Sequence, residues 1–246
     1  METFRAFSAL HAVAVALIAV LTLAAILAAR RRPRPMAERA VALGFLAAWL
    51  TTYAYLLFPP LRDFDTTLPL HMCHLAAATA PLVLLTGARP LRAIQYFWGL
   101  ALCTQAVATP SLTEGPALYP FWFFWAYHAM AVGVPLYDVF ARGYRPSWRD
   151  YGTACAAAAV YAAIVLPLDL AFGWSYGFLG PSKPEVASIV DFLGPWPERL
   201  VPIVLIVAAA MALAQLPWTI ARRLGRRTNA PPPSPPPPSS RTGPGS

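Results

Sequence analysis

Apolar runs of about 20 residues recur along the chain, the length that a hydrocarbon core of about 30 Å imposes on a helix. They fall at 7–29, 40–58, 68–85, 93–109, 120–141, 151–172 and 199–220. Pro59-Pro60, Gly87 with Pro90, Gly115-Pro116, Gly143 with Pro146, and Gly180-Pro181 punctuate the connections between them. The pattern predicts an all-α polytopic membrane protein, a bundle of seven transmembrane helices over 1–228. Pro81, Pro135, Pro167 and Pro202 fall inside predicted spans, where kinks are expected. From residue 229 to 246 the chain turns to Pro and Ser, a composition that cannot bury a core and predicts a disordered tail.

Composition agrees with this reading. Of the 246 residues, 58% are hydrophobic and 12% charged, with mean hydropathy +0.52. Soluble domains carry about twice that charged fraction. The net charge of +8 does not imply nucleic-acid binding, because the arginines cluster between apolar runs and form no basic face interleaved with aromatics. The connections after the first, third, fifth and seventh spans hold 15 basic residues, and the other side holds 4. By the positive-inside rule the N-terminus lies outside and the C-terminus in the cytoplasm of a multi-pass cell-membrane protein. The first apolar run exceeds a signal-peptide core of about 7–15 residues, and its arginines come after it, so it is expected to stay as a helix.

Chemistry concentrates in one place. His71, Cys73 and His74 are three of the chain's seven His and Cys residues, and His128 lies deep in another apolar segment. A polar group in a membrane helix costs free energy unless it is paired or used. With the N-terminus outside, Cys73 lies roughly 7 Å and His128 roughly 12 Å below the outer ends of their spans, at 1.5 Å per residue. Gln105, Thr109, Asp169 and Tyr176 fall at the same end, while the inner halves are plainer apart from Gln95 and Trp98. Helical spacing places Gln95, Trp98, Leu102, Gln105 and Thr109 on one stripe that should face the bundle. His71 and His74 share a face, with Cys73 about 100° from His74. Cys103 and Cys155, among small apolar neighbours, read as buried hydrophobes, and an odd cysteine count argues against a disulfide framework.

Two chemistries fit this cluster. Cys73 with His128 as base, oriented by Asp169 or a glutamine, makes a thiol acyl-transfer centre. At that depth its scissile bond is an outer-leaflet phospholipid ester. Such a centre needs no metal and no cofactor, and it is the leading expectation. Alternatively His71, Cys73, His74 and His128 bind a soft divalent metal, although H-x-C-H is no known closed zinc pattern. Other functions also fit the pattern: a transporter or small-ligand binding protein with His128, Asp169 and Gln105 along a pathway, or a non-catalytic heptahelical sensor. A retinal pigment does not, since the only lysine, Lys183, lies in a connection.

The segments Leu68-Pro69-Leu70-His71-Met72-Cys73, Phe97-Trp98-Gly99-Leu100 with Gln105 and Thr109-Pro110, the aromatic stretch before His128, Arg145-Pro146-Ser147-Trp148-Arg149 and Asp191-Phe192-Leu193-Gly194-Pro195-Trp196-Pro197 resemble the YwaF-like family of integral membrane proteins. The likeness runs from about 68 to 213, with the first two spans matching only in hydrophobicity. An animal relative of that family looks like a cysteine-centred acyltransferase acting on lyso-ether phospholipids. The resemblance therefore implies Cys73 as acyl-accepting nucleophile and His128 as general base, with membrane phospholipid as substrate. Two positions depart from the family. His74 stands where an acidic or amide residue is usual, and Ser175-Tyr176 where Asn-Tyr is.

Overall fold

A computed structural model describes residues 3–58, 64, 67–181 and 192–228. The Pro/Ser tail at 229–246, Lys183, Pro59-Pro60, Arg62 and Asp191 lie outside the described residues. Among those described there is no strand, and the helices are α1 (Ala9–Arg31), α2 (Pro35–Leu56), α3 (Met72–Thr86), α4 (Arg89–Phe97), α5 (Thr104–Ala108), α6 (Tyr119–Phe140), α7 (Trp148–Phe172) and α8 (Leu200–Thr228). A π-helical segment, Trp98–Cys103, joins α4 to α5, and a 3-10 turn, Tyr176–Phe178, comes after α7. Three helical stretches, Ala9–Arg31, Trp148–Phe172 and Leu200–Leu224, are long and apolar enough to cross a membrane. The third predicted span is shorter than expected. Its helix starts at Met72, and at 15 residues it rises about 22 Å.

Local chemistry sets the ends of these helices. Ser8 caps α1 by accepting from the His11 amide. Ser147 and Asp150 form a reciprocal capping box at α7, and Gly87 and Gly173 close α3 and α7 in the left-handed conformation that a Cβ disfavours. Pro81, Pro135 and Pro167 do sit inside helices, as does Pro217. Pro202 instead falls in the first turn of α8, where a missing N–H breaks no helical bond.

Packing centres on α3, α6 and the π-helical segment, which also touches α4 and α8. His11 ties α1 to this centre. Its Nδ1 accepts from the Phe7 amide at 2.9 Å, so Nε2 carries the proton and donates to the Val107 carbonyl at 2.8 Å.

The end of the bundle away from Cys73 is not plain. Arg92 donates to both Asp138 oxygens at 2.7 and 2.9 Å, and Arg89 to both Asp150 oxygens at 2.9 and 2.7 Å. Arg142 adds Glu38 at 3.7 Å and the Val83 carbonyl at 3.0 Å. Those contacts tie α2, α3, α4, α6 and α7 together at one level; only Asp138 among these charged groups falls inside a predicted span, where the sequence reading did not mark it. Asp138 is a single acidic residue in an apolar stretch and Asp150 follows Arg149 in a polar connection, and only tertiary contact shows what each is paired with.

Candidate active site

Cys73 is the second residue of α3, half-buried, with the side chains of Cys103 and His128 near its thiol. His128 is 1% exposed on α6. Its Nδ1 lies 2.9 Å from the Phe124 carbonyl, so Nδ1 is the donor and the neutral ring keeps its lone pair on Nε2. That Nε2 is buried and makes no hydrogen bond of good geometry. With Nδ1 engaged, Nε2 is the nitrogen free to take a proton from the thiol. Phe124 and Tyr127 flank the ring, each 4.2 Å between centroids, and hold its plane.

The two other histidines of the cluster, His71 and His74, lie at the start of α3. His71 is the N-cap residue of α3, and its ring stands 5.5 Å from His74 and 4.9 Å from Tyr176. His74 turns toward Tyr127 at 4.9 Å and Tyr53 at 5.8 Å, away from the sulfur, as its helical angle requires. Among the described residues no three His, Cys, Asp or Glu side chains converge as a metal ion needs. The donor set offered as a metal alternative is therefore divided: one histidine is committed to a carbonyl and another faces aromatics.

Asp169 and Tyr176 act on the approach to α3. Asp169 is fully buried, and its Oδ1 accepts from the Tyr176 amide at 3.0 Å. The Tyr176 hydroxyl donates to the Phe64 carbonyl at 2.6 Å and accepts from the Leu68 amide at 3.1 Å. Tyr161 of α7 donates to the Leu70 carbonyl at 2.7 Å. Asp169 thus holds the loop that holds residues 68–70, and it is not bonded to His128.

Gln105 and Thr109 are not brought to the cluster; both are exposed. The expected stripe breaks because the π-helical turn spends one extra residue, rotating the α5 residues beyond it by about 100° at helical pitch. Cys103, the last residue of the π-helical segment, comes to lie near Cys73. Cys103 is fully buried, and neither composition nor α-helical phase marks it as a neighbour of the thiol.

Three residues explain where the wide turn sits. Pro135 has no N–H for the Ala131 carbonyl four residues earlier. Gln95 supplies the missing donor from α4 at 3.0 Å. Gly99 lets the backbone come against that same carbonyl: a Cβ there would collide with the Ala131 oxygen and stand 3.2 Å from the Pro135 ring. Gly99→Ala is expected to push the segment off α6, costing about 1–3 kcal/mol as overpacking does. A lower melting temperature in detergent, with faster labelling of Cys103 by a small maleimide, checks this. Unchanged values for both refute it.

An open apolar depression of about 660 Å³ lies between α1 and the α5–α6 pair, lined by Ala12, Val15, Ala16, Thr104, Val107 and Val132; Cys73, Cys103 and His128 do not line it. Thr104 is next in sequence to Cys103, and Val132 is one turn past His128.

The TMEM164 family matches residues 6–215, so the chain belongs to that family and is a membrane protein. The match includes the first two helices, which the resemblance drawn from motifs reaches only through hydrophobicity. No curated protein and no solved structure matches the chain.

Proposed function

We propose that this TMEM164-family protein is a thiol-dependent lipid acyltransferase or lipid hydrolase of the cell membrane. In this reading it crosses the bilayer seven times with its N-terminus outside, and Cys73 and His128 work beneath the outer headgroups. One observation carries the reading: a buried imidazole with its Nδ1 committed to a carbonyl and its Nε2 left open beside a thiol. That is the arrangement of a general base and a nucleophile. Nε2 takes the thiol proton as sulfur attacks the ester carbonyl carbon. The C–O bond to the leaving lysophospholipid then breaks, and the imidazolium returns its proton to that oxygen. A thioester remains on Cys73, to be passed to an acceptor hydroxyl or to water.

The bidentate pairs Arg92–Asp138 and Arg89–Asp150 favour an enzyme over a transporter. They leave the far end cross-linked, where a pathway needs open polar groups.

Purified protein incubated with phosphatidylcholine labelled in its acyl chains tests the proposal. A protein-bound label released by neutral hydroxylamine, which cleaves thioesters and spares oxygen esters, is the expected result. The absence of any such label over many hours, in protein that still melts cooperatively, ends it.

A further inference from the structure

We propose that the first-turn amides of α3, the N–H groups of Met72 and Cys73, form the oxyanion-binding site of this centre, taking the negative oxygen that develops on an ester carbonyl. The inference rests on the acyl-transfer reading above and goes further by assigning the groups that stabilise the tetrahedral intermediate.

The first four N–H groups of any helix lack an intrahelical acceptor. In α3 the His74 amide finds the His71 carbonyl at 2.9 Å, the same oxygen that takes the first i→i−4 bond of the helix, from Leu75, at 3.1 Å. His71 gives no side-chain cap. Among the described residues the amides of Met72 and Cys73 have no acceptor. Two adjacent free donors at a helix N-terminus make a place where negative charge is favoured.

A second observation is independent of the helix end. His128 is 1% exposed and its Nε2 is unpartnered, beside the sulfur that belongs to the second of the two free amides. A buried proton acceptor and two free donors therefore flank one thiol. As the Cys73 sulfur bonds to the carbonyl carbon, the π-electron pair moves onto oxygen and Nε2 takes the thiol proton. The two amides hold that oxygen until the C–O bond to the leaving alcohol breaks and the carbonyl re-forms.

The donors are also held still, which such stabilisation requires. Residues 68–70 are fixed from outside by the Tyr161 hydroxyl on the Leu70 carbonyl and the Tyr176 hydroxyl on the Leu68 amide.

Proline at position 72 removes one donor with little disturbance. Met72 is the first residue of α3, where proline fits a helix. His71, at φ −66° and ψ 142°, already has the extended conformation that a residue before proline needs. Met72→Ala, which keeps the N–H, controls for loss of the side chain. Two rates are measured on purified protein: acylation of Cys73 by 4-nitrophenyl octanoate, and alkylation of Cys73 by iodoacetamide, which passes through no tetrahedral oxyanion.

In Met72→Pro, acylation is expected to fall about 10²–10³-fold, the usual effect of removing one oxyanion donor. Alkylation in Met72→Pro matches that in Met72→Ala, and Met72→Ala, which keeps the N–H, acylates far faster than Met72→Pro. Equal acylation in Met72→Pro and Met72→Ala overturns the inference, and so does a parallel fall in alkylation, which places the loss in access to the thiol. Failure of the lipid reading looks different. There the nitrophenyl ester acylates Cys73 and shows the proline effect while labelled phosphatidylcholine never does.

Discussion

Cys73→Ser is expected to eliminate the hydroxylamine-labile acyl label, and His128→Ala to slow its formation about 10²–10⁴-fold, the range for loss of a general base. Serine nearly matches cysteine in size, and residue 73 is only half-buried, so the fold should persist. What changes is the nucleophile: a hydroxyl gives up its proton far less readily than a thiol and forms no thioester. His128 offers a sharper comparison through His128→Gln, which keeps a polar group near the Phe124 carbonyl but has no basic nitrogen. Loss of rate in His128→Gln equal to that in His128→Ala, with melting temperatures unchanged, assigns the effect to proton transfer. Turnover that is equal in Cys73→Ser, His128→Ala and the unaltered protein would falsify the acyl-transfer reading outright.

The second large effect lies at the far end of the bundle. Asp138→Ala is expected to cost about 3–5 kcal/mol, the usual penalty for breaking a buried ion pair by removing one partner. The Asp138 side chain is 2% exposed, and its loss strands the Arg92 guanidinium, which is 22% exposed. Arg92 would keep only the Tyr144 ring, 4.6 Å from its guanidinium carbon. Asp150→Ala should cost less, because its partner Arg89 is 61% exposed and can turn to water. Thermal melts in one detergent, read for both variants, give the order. A melting point for Asp138→Ala at or above that of Asp150→Ala contradicts the account.

Much of the candidate site is legible in the order of residues. Cys73 and His128 stand out because a thiol and an imidazole at those depths are costly in an apolar segment without a partner. Asp169 and Tyr176 are visible in the same way, although their bonds run to the lead-in of α3 and only indirectly to the chemistry. Gln105 and Thr109 fall elsewhere than helical phase places them for a definite reason: 3.6 residues per turn does not hold across Trp98–Cys103, which is wound wider. The residues tied to that change of winding are Gly99, and Pro135 on another helix, and neither is readable as a register shift by itself. Cys103 is hidden on the same account, since its side chain is apolar in character and its neighbours are Leu and Thr.

From the order of its residues alone, this chain specifies a helical membrane protein and the address of its candidate site. Both result from solvation: apolar runs must leave water, and polar side chains among them must find a use. Which groups meet was decided by packing, where one proline-freed carbonyl, one glycine and one wide turn set the rotation of a helix. Pairing across helices depends on that rotation, and rotation is a property of contact between segments that no single segment carries.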